Sequence, residues 1–169
     1  LCISRDITEL REFQHQLQYM AFFDPLTKLP NRALFNDRLD QLLSDISRSE
    51  QTTIGVMFLD LDGFKTVNDS LGHDSGDLLL HEAGERIRAC IRDYDTVARL
   101  GGDEFACILH EVRQVLDLAI VARKILAAIE APFYIAGKEL FISTSIGIAC
   151  YPADSDETSE LIRFAFSTN

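Results

Sequence analysis

Three deficits in the sequence exclude whole classes of protein. Basic residues are few, since 16 Lys and Arg stand against 27 Asp and Glu in 169 residues, a formal net charge of −11. A general nucleic-acid polymer binder neutralises phosphates with a basic face, so this class is excluded. No apolar run approaches the roughly 20 residues that span a bilayer. There is no internal repeat, and the 47% hydrophobic content indicates one globular domain.

Cysteine pairs are the third deficit. Cys2, Cys90, Cys107 and Cys150 lie among apolar neighbours, and no two of them form a C-x-x-C motif. We therefore predict free, buried thiols in a reducing compartment. The chain opens at Leu1 with no initiator Met and no basic segment, so we expect no signal peptide and a piece cut from a longer chain.

Hydrophobic spacing predicts one α+β domain with a mainly antiparallel sheet flanked by helices. Helices are predicted at residues 6–22, 32–48 and 75–92, over about 20 residues from Val112, and from about Thr158 onward. Strands are predicted at residues 52–61, 96–100, 105–109, 133–135 and 139–150. The pair Gly101-Gly102 joins two of these strands, and it supplies the positive φ angles that a tight hairpin needs.

The first predicted helix allows two interpretations. Asp6 and Glu9 have capping-box spacing, and a narrow seam follows at Ile7, Leu10, Gln14, Leu17 and Ala21. The seam is either an amphipathic face packed on its own domain or a short parallel coiled coil that delivers a signal. About two heptads do not decide between them.

Carboxylates follow the apolar strand and the hairpin turn. Asp60 and Asp62 end the strand, and Asp103 and Glu104 form the hairpin tip. If the two strands are neighbours, Asp60 and Asp103 converge, and with a backbone carbonyl and phosphate oxygens they make a Mg²⁺ site. The alternative is that they are solvated turn acids.

The next residues carry a second set of nucleotide-binding candidates. Gly63-Phe64-Lys65 could hold an anion, or form an ordinary strand-to-helix turn. Asn68 and Asp77 could contact a guanine edge, or act as a helix cap and a first-turn acid. His73 could be a general base, although capping or packing is commoner at a helix start. The remaining histidines, His15, His81 and His110, have no companion at metal-ligand spacing.

Taken together, these motifs closely resemble the GGDEF family. The resemblance covers residues 24–163 and is carried by the following segments: Asp24-x-Leu26-Thr27-x-Leu29-x-Asn31-Arg32, Phe58-Leu59-Asp60-Leu61-Asp62-Gly63-Phe64-Lys65-x-x-Asn68-Asp69, Gly72-His73-x-x-Gly76-Asp77, Arg99-Leu100-Gly101-Gly102-Asp103-Glu104-Phe105 and Ser145-Ile146-Gly147-Ile148-Ala149.

Family members are diguanylate cyclases with a palm-like fold similar to adenylate cyclases and polymerases. The resemblance therefore implies a transferase of bacterial signalling that joins two GTP molecules, one per subunit of a homodimer, into cyclic di-GMP with release of pyrophosphate. It implies Mg²⁺ or Mn²⁺ held by Asp60, Asp103 and the Leu61 carbonyl, and Glu104 beside the attacking hydroxyl as metal contact or base. It further implies phosphate contacts from Gly63, Phe64 and Lys65, guanine contacts from Asn68 and Asp77, and close approach of ribose and α-phosphate to Gly101 and Gly102.

The resemblance also implies a regulatory site. Arg92-x-x-Asp95 matches the family's inhibitory motif, in which this pair binds cyclic di-GMP, although the same spacing is common in ordinary ion pairs. Arg123 is a candidate for an additional arginine there. Residues 3–8 resemble the exit of a PAS sensor domain, so we expect residues 1–23 to be a signalling helix or linker from a PAS-like upstream domain and residues 24–169 to be the GGDEF domain.

Two positions depart from the family pattern. Lys28 lies in the first of these segments, residues 24–32, at a position where the family usually has Gly, and we interpret it as harmless surface variation. The last helix ends at Asn169 without the family's phosphate-binding lysine, from which we expect a domain shortened in that helix and weak activity of this piece.

Three functions remain open from the sequence. The first is an active cyclase domain in the cytoplasm, in a parent protein that could be membrane-tethered and could carry a downstream EAL domain. The second is a catalytically weak module that binds GTP or cyclic di-GMP and regulates a neighbour. The third, a purely structural dimerisation domain, leaves the clustered carboxylates without a purpose.

Overall fold

The computed structural model describes residues 19–46 and 53–167. Its strands are β1 (Thr53–Asp62), β2 (Thr96–Gly101), β3 (Glu104–Val112), β4 (Phe133–Ile135), β5 (Lys138–Leu140) and β6 (Ser143–Tyr151). Its helices are α1 (Arg32–Ile46), α2 (Phe64–Leu71), α3 (His73–Cys90), α4 (Val115–Glu130) and α5 (Thr158–Ser167). Four strands form a sheet in the order β2-β3-β1-β6, and β4 and β5 form a separate pair.

Every strand pair of the main sheet is antiparallel. The strand β1 is central, and its residues 54–59 are all buried. This burial on both faces explains why its sequence is a continuous apolar run and not an alternating one. The predicted α+β class with an antiparallel sheet is confirmed.

Helices cover both faces of the sheet. On one face, α3 and α4 bury residues spaced by three or four, among them Leu79, Ala83, Ile87, Ala122 and Ile125. On the other face, α1 and α5 pack Phe35, Leu39 and Leu161 against Val56 and Phe58. At one end of β1 and β3 the acidic residues are half-buried or exposed, and this end carries the candidate site.

Local patterns placed most elements but not all their boundaries. The helix predicted at 75–92 is α3, which begins at His73 and ends at Cys90. The helix predicted from Val112 is α4, which begins at Val115 because β3 continues to Val112. The strand predicted at 139–150 is two strands, since Phe141 and Ile142 separate β5 from β6. Of the helix predicted at 6–22, residues 19–22 are helical, and residues 6–18 lie outside the described residues.

The described cysteines are free thiols, as predicted. Cys107 and Cys150 are buried, and Cys90 is half-buried. Burial raises the pKa of all three thiols, which keeps them protonated and unreactive. Cys2 lies outside the described residues. In the part of the chain that the structure describes, no helix has the length and apolarity to cross a membrane.

Candidate active site

Four carboxylates meet at one end of the sheet, which we call the acidic end: Asp60, Asp62, Asp103 and Glu104. The strands β1 and β3 are neighbours, and their register places Asp60 opposite Glu104. The Leu61 N–H donates to the Asp103 carbonyl at 3.3 Å, which joins the end of β1 to the hairpin tip. Gly101 and Gly102, which directly precede Asp103 in this hairpin, have φ of 142° and 53°, so glycine is required there for the turn.

The acidic end is electrostatically unfavourable without a cation. The pKa of the Asp60 carboxyl is raised above its usual value. Burial is the largest cause, followed by the negative charges of Asp103, Asp62 and Glu104. A divalent cation would relieve this repulsion, and carboxylate oxygens are the donors that Mg²⁺ and Mn²⁺ prefer.

The acidic end supplies only part of a metal coordination shell. Among residues 19–46 and 53–167, no three Asp, Glu, His or Cys side chains come close enough to hold an ion together. Magnesium ordinarily binds one or two carboxylates and completes its shell with water and substrate phosphates. The donor set of Asp60, Asp103 and the Leu61 carbonyl therefore fits a metal that arrives with a nucleotide.

Two of the four carboxylates are held by neighbouring side chains. The Ser143 and Ser145 hydroxyls donate to Asp62, with the shortest oxygen–oxygen distances 2.9 and 3.2 Å. The guanidinium of Arg32, the first residue of α1, contacts Glu104 at 3.0 Å. The acidic end is thus shaped by β6 on one side and by α1 on the other.

Arg99 braces the hairpin turn. Its Nε and Nη2 both donate to the Gly102 carbonyl, at 3.0 and 2.7 Å, and its Nη1 reaches both Asp24 oxygens at 3.1 Å. The Asp24 carboxylate also accepts hydrogen bonds from the Thr27 N–H and hydroxyl, at 2.8 and 2.7 Å. Burial alone would raise the pKa of Asp24, but these hydrogen bonds and the charge of Arg99 outweigh it and lower the pKa.

The segment 24–32 contacts the same hairpin through a backbone hydrogen bond. The Arg99 N–H donates to the Pro30 carbonyl at 2.9 Å. Lys28 in this segment has φ of 62°, the left-handed region that favours glycine. The Lys28 side chain is exposed, which agrees with surface variation. The substitution nevertheless costs stability, because Lys28 carries backbone strain that glycine would avoid.

The candidate phosphate-binding residues begin directly after β1. Gly63 has φ of 82° and precedes α2, and a Cβ there would meet no atom within 4 Å. Phe64 packs partly into the core, and Lys65 is exposed on the first turn of α2. The helix N-terminus therefore lies beside the acidic end with open space around Gly63, an arrangement that suits an anion.

The two candidate guanine contacts come from adjacent helices. Asn68 of α2 lies against Gly76 of α3, where a Cβ would stand 1.9 Å from the Asn68 Oδ1. That Oδ1 is buried and unpaired among the described residues, a state that costs about 1–3 kcal/mol. Asp77, beside Gly76, is exposed in the second turn of α3 and is therefore not a first-turn acid. His73, the first residue of α3, is exposed and does not pack in the core.

Arg92 and Asp95 lie away from the acidic end and do not form an ordinary ion pair. The Asp95 carboxylate is buried and accepts hydrogen bonds from the backbone N–H groups of Arg92 and His110, at 3.1 and 2.9 Å. The Arg92 guanidinium instead donates to the Tyr94 hydroxyl at 2.6 Å. Both residues line a cavity of about 410 Å³, together with Arg113 and Lys124. Arg123 is exposed and is not among the residues lining that cavity.

Comparison with family sequence models identifies the family to which this chain belongs. The model described as "Diguanylate cyclase, GGDEF domain" matches residues 21–167. The chain is a GGDEF domain. Over 155 residues it is 49% identical to the bifunctional diguanylate cyclase/cyclic di-GMP phosphodiesterase MucR of Pseudomonas aeruginosa, covering 92% of this chain and 22% of MucR.

Solved structures agree with this family. The GGDEF domain of TpbB from Pseudomonas aeruginosa superposes with a TM-score of 0.83 at 41% identity, covering 86% of this chain and 85% of that one. The coiled coil and GGDEF domain of DgcB from Caulobacter crescentus, solved in complex with c-di-GMP, gives a TM-score of 0.82 at 27% identity, covering 97% and 86%. The fold of this GGDEF domain is therefore shared with proteins of differing sequence.

Sequence reasoning gave no separate role to several residues that shape the site. Asp24, Arg32 and Arg99 were visible only as parts of motifs, and Ser143 carried no signal at all. Asp24 and its partner Arg99 are 75 residues apart in the sequence, and Arg32 and its partner Glu104 are 72 residues apart. The signal that could have pointed to Asp24, Arg32 and Arg99 is charge, because each is an ionic residue near a turn.

Proposed function

We propose that this GGDEF domain is a diguanylate cyclase half-site, a nucleotidyltransferase that joins two GTP molecules into cyclic di-GMP and releases pyrophosphate. The observation that carries the proposal is the acidic end, where Asp60 faces Glu104 and has a raised pKa. This unfavourable concentration of charge lies directly before the open N-terminus of α2. A metal-bound triphosphate would satisfy both features at once.

The residues of the acidic end would act as follows. Asp60, Asp103 and the Leu61 carbonyl hold Mg²⁺ or Mn²⁺, which when bound polarises the α-phosphate and lowers the pKa of the attacking hydroxyl. Glu104 lies beside that 3′-hydroxyl. Lys65 and the backbone at Gly63 and Phe64 bind the phosphates, and the absence of side chains at Gly101 and Gly102 lets the ribose come close.

Asn68 and Asp77 would select guanine. An Asp carboxylate accepts two N–H groups from the guanine N1 and N2, and an amide completes the pattern. We expect Asn68→Ala and Asp77→Ala to weaken GTP binding more than ATP binding in equilibrium titrations. Equal losses for both nucleotides would remove the guanine-selecting role.

The reaction requires two copies of the domain. Each subunit supplies one nucleotide, so the half-sites must face each other in a homodimer. Residues 1–23 would form the signalling linker from an upstream sensor domain, and a downstream EAL domain is a further candidate partner. The chain spans only 22% of MucR, which supports a place within a larger cytoplasmic signalling assembly, free or membrane-tethered.

The deciding experiment is chromatography of GTP incubated with the protein and Mg²⁺. We expect cyclic di-GMP from the wild type, and a loss of about 10²-fold or more in Asp103→Ala, because a metal ligand is removed. Asp156→Ala is the matched control, since Asp156 is an exposed acid far along the chain from the site. Equal rates in Asp103→Ala and the wild type would contradict the metal assignment.

The cavity at Arg92 and Asp95 supports a second proposal, an inhibitory site for the product. The cavity is lined by three cations, Arg92, Arg113 and Lys124, and by three acids, Asp95, Glu111 and Asp117. Cyclic di-GMP carries two phosphates that a guanidinium can bind. We expect Arg92→Ala to weaken cyclic di-GMP binding in calorimetric titration while GTP binding is retained. The control is Lys138→Ala on the distant β5, and identical affinities in Arg92→Ala and the control would refute the site.

The same cavity favours a second candidate function. A domain that binds cyclic di-GMP at Arg92 and produces none would be a regulatory module for a neighbouring domain. Binding of the product by calorimetry, together with absence of turnover in a dimeric wild-type protein, would establish this function in place of the first.

A further inference from the structure

Arg32 stands at a position where a positive charge does not help its own helix. It is the first residue of α1, and the first turn of that helix holds no acidic residue. The helix dipole disfavours cations at an N-terminus. Because α1 gains nothing from this charge, the reason for it must lie in what the side chain contacts.

That contact is the Glu104 carboxylate, 72 residues away in the sequence. The Arg32 Nη2 lies 3.0 Å from the Glu104 Oε2. Glu104 is also the residue that faces Asp60 across the β1–β3 pair. Arg32 therefore places a positive charge beside one of the four carboxylates of the acidic end.

The base of Arg32 is firmly anchored. The preceding Asn31 caps α1, since its Oδ1 accepts the Leu34 N–H at 3.1 Å. The Asn31 Nδ2 donates to the Ala21 carbonyl at 3.0 Å, and its N–H donates to the Phe22 carbonyl at 2.9 Å. The guanidinium thus projects from a fixed point, which is the condition for orienting another side chain.

We infer that Arg32 is a positioning residue for Glu104, holding its carboxylate beside α1 before a divalent cation binds at the acidic end. The inference rests on the cyclase function proposed above. In this arrangement Arg32 does two opposing things. It orients Glu104 for the reaction, and its positive charge repels the incoming cation.

Removing Arg32 should therefore separate metal affinity from turnover. In Arg32→Ala, Mn²⁺ alone should bind about three- to tenfold more tightly, because one nearby positive charge is lost. Cyclic di-GMP formation at saturating Mg²⁺ should fall about tenfold or more with little change in the KM for GTP, because Glu104 is no longer oriented. A merely structural residue would lower both quantities or neither.

The experiment measures free Mn²⁺ by electron paramagnetic resonance during titration of the 169-residue chain, alongside GTP turnover. Arg32→Lys keeps the charge and one donor, so it should restore the wild-type Mn²⁺ affinity and part of the turnover. Arg163→Ala is the control, since Arg163 forms an exposed ion pair with Glu160 on α5 and should change neither quantity. Arg32→Gln replaces Arg32→Ala if thermal unfolding shows that the alanine variant is not folded.

The outcomes distinguish this inference from the proposed function. Weaker or unchanged Mn²⁺ binding in Arg32→Ala and Arg32→Gln overturns the inference, whatever the turnover. Absence of cyclic di-GMP from a dimeric wild-type protein overturns the proposed function, while the Mn²⁺ titration still decides whether Arg32 opposes the cation. Tighter Mn²⁺ binding with reduced turnover, partly restored by lysine, supports both.

Discussion

Replacing Asp24 should show how much more a largely buried ion pair stabilises this domain than an exposed one. Its carboxylate and the Arg99 guanidinium are 15% and 12% exposed and meet through two contacts of 3.1 Å. Replacing Asp24 by Ala leaves the guanidinium without its counter-charge and leaves the Thr27 N–H and hydroxyl without an acceptor. Arg99 keeps its two hydrogen bonds to Gly102, which limits the loss.

The expected loss in the free energy of unfolding is about 3 kcal/mol. Removing one partner of a fully buried pair costs about 3–5 kcal/mol, and the residual exposure of this pair puts it at the lower end. At roughly 2–4 °C per kcal/mol for a chain of this size, the melting temperature should fall by about 6–12 °C. This is a large fraction of the roughly 5–15 kcal/mol that stabilises a typical domain.

Urea unfolding is the assay, with Arg163→Ala as the matched control. The Arg163–Glu160 pair is exposed, at 70% and 46%, so its loss should cost less than about 0.5 kcal/mol. Asp24→Asn keeps the size and an acceptor for Thr27, and should lose only the charge contribution. If Asp24→Ala destabilised the domain no more than Arg163→Ala, the bracing role of the Asp24–Arg99 pair would be wrong.

The pH dependence provides an independent check on the same pair. Because the pKa of folded Asp24 is lowered, its stabilisation is complete above the unfolded pKa of about 3.9 and is lost as the pH falls through the lower folded value. The stability difference between wild type and Asp24→Ala should therefore persist from about pH 8 to pH 5 and shrink below about pH 4. A difference that stays constant down to pH 3 would refute the charge argument.

Three further predictions concern strain, repulsion and capping. Lys28→Gly should raise the free energy of unfolding by about 0.5–1 kcal/mol, since it relieves the positive φ; Lys28→Ala, which retains the Cβ, should not, and urea midpoints compare the two. Asp60→Asn should raise the melting temperature at pH 7 and abolish Mn²⁺ binding. Because the pKa of folded Asp60 is raised, its ionisation should lower the stability of the wild type as the pH rises from about 4, and this contribution should be absent from the variant. An unchanged melting temperature at pH 7 would contradict the repulsion. Arg86→Ala should lower the free energy of unfolding by about 2–4 kcal/mol. The reason is that Arg86 donates to the carbonyls of Ala128, Ala131 and Pro132 and covers the Phe133 ring. Calorimetric melting measures this loss, and a value under about 1 kcal/mol would show that these contacts do not stabilise the domain.

The sequence by itself determined the local structures that depend on neighbouring residues. The apolar run before Asp60 specified a buried strand, and Gly101-Gly102 specified the turn that joins β2 to β3. Spacing by three and four residues specified the helices that carry Leu79 and Ile125. These predictions succeed because backbone conformation and periodic burial act over a few residues, a range that a sequence pattern records directly.

Only the tertiary structure decided how the site is held together. The strand predicted at 139–150 is two strands in the structure, because β5 pairs with β4 in a separate sheet while β6 pairs with β1 in the main sheet. The register that sets Asp60 opposite Glu104, and the contacts of Arg32 with Glu104 and of Asp24 with Arg99, join residues from different elements. Nothing in local propensity encodes such pairings. They follow from the order of strands in the sheet and from the way α1 packs on it, which is why the residues of the site could be named from the sequence while the residues that position them could not.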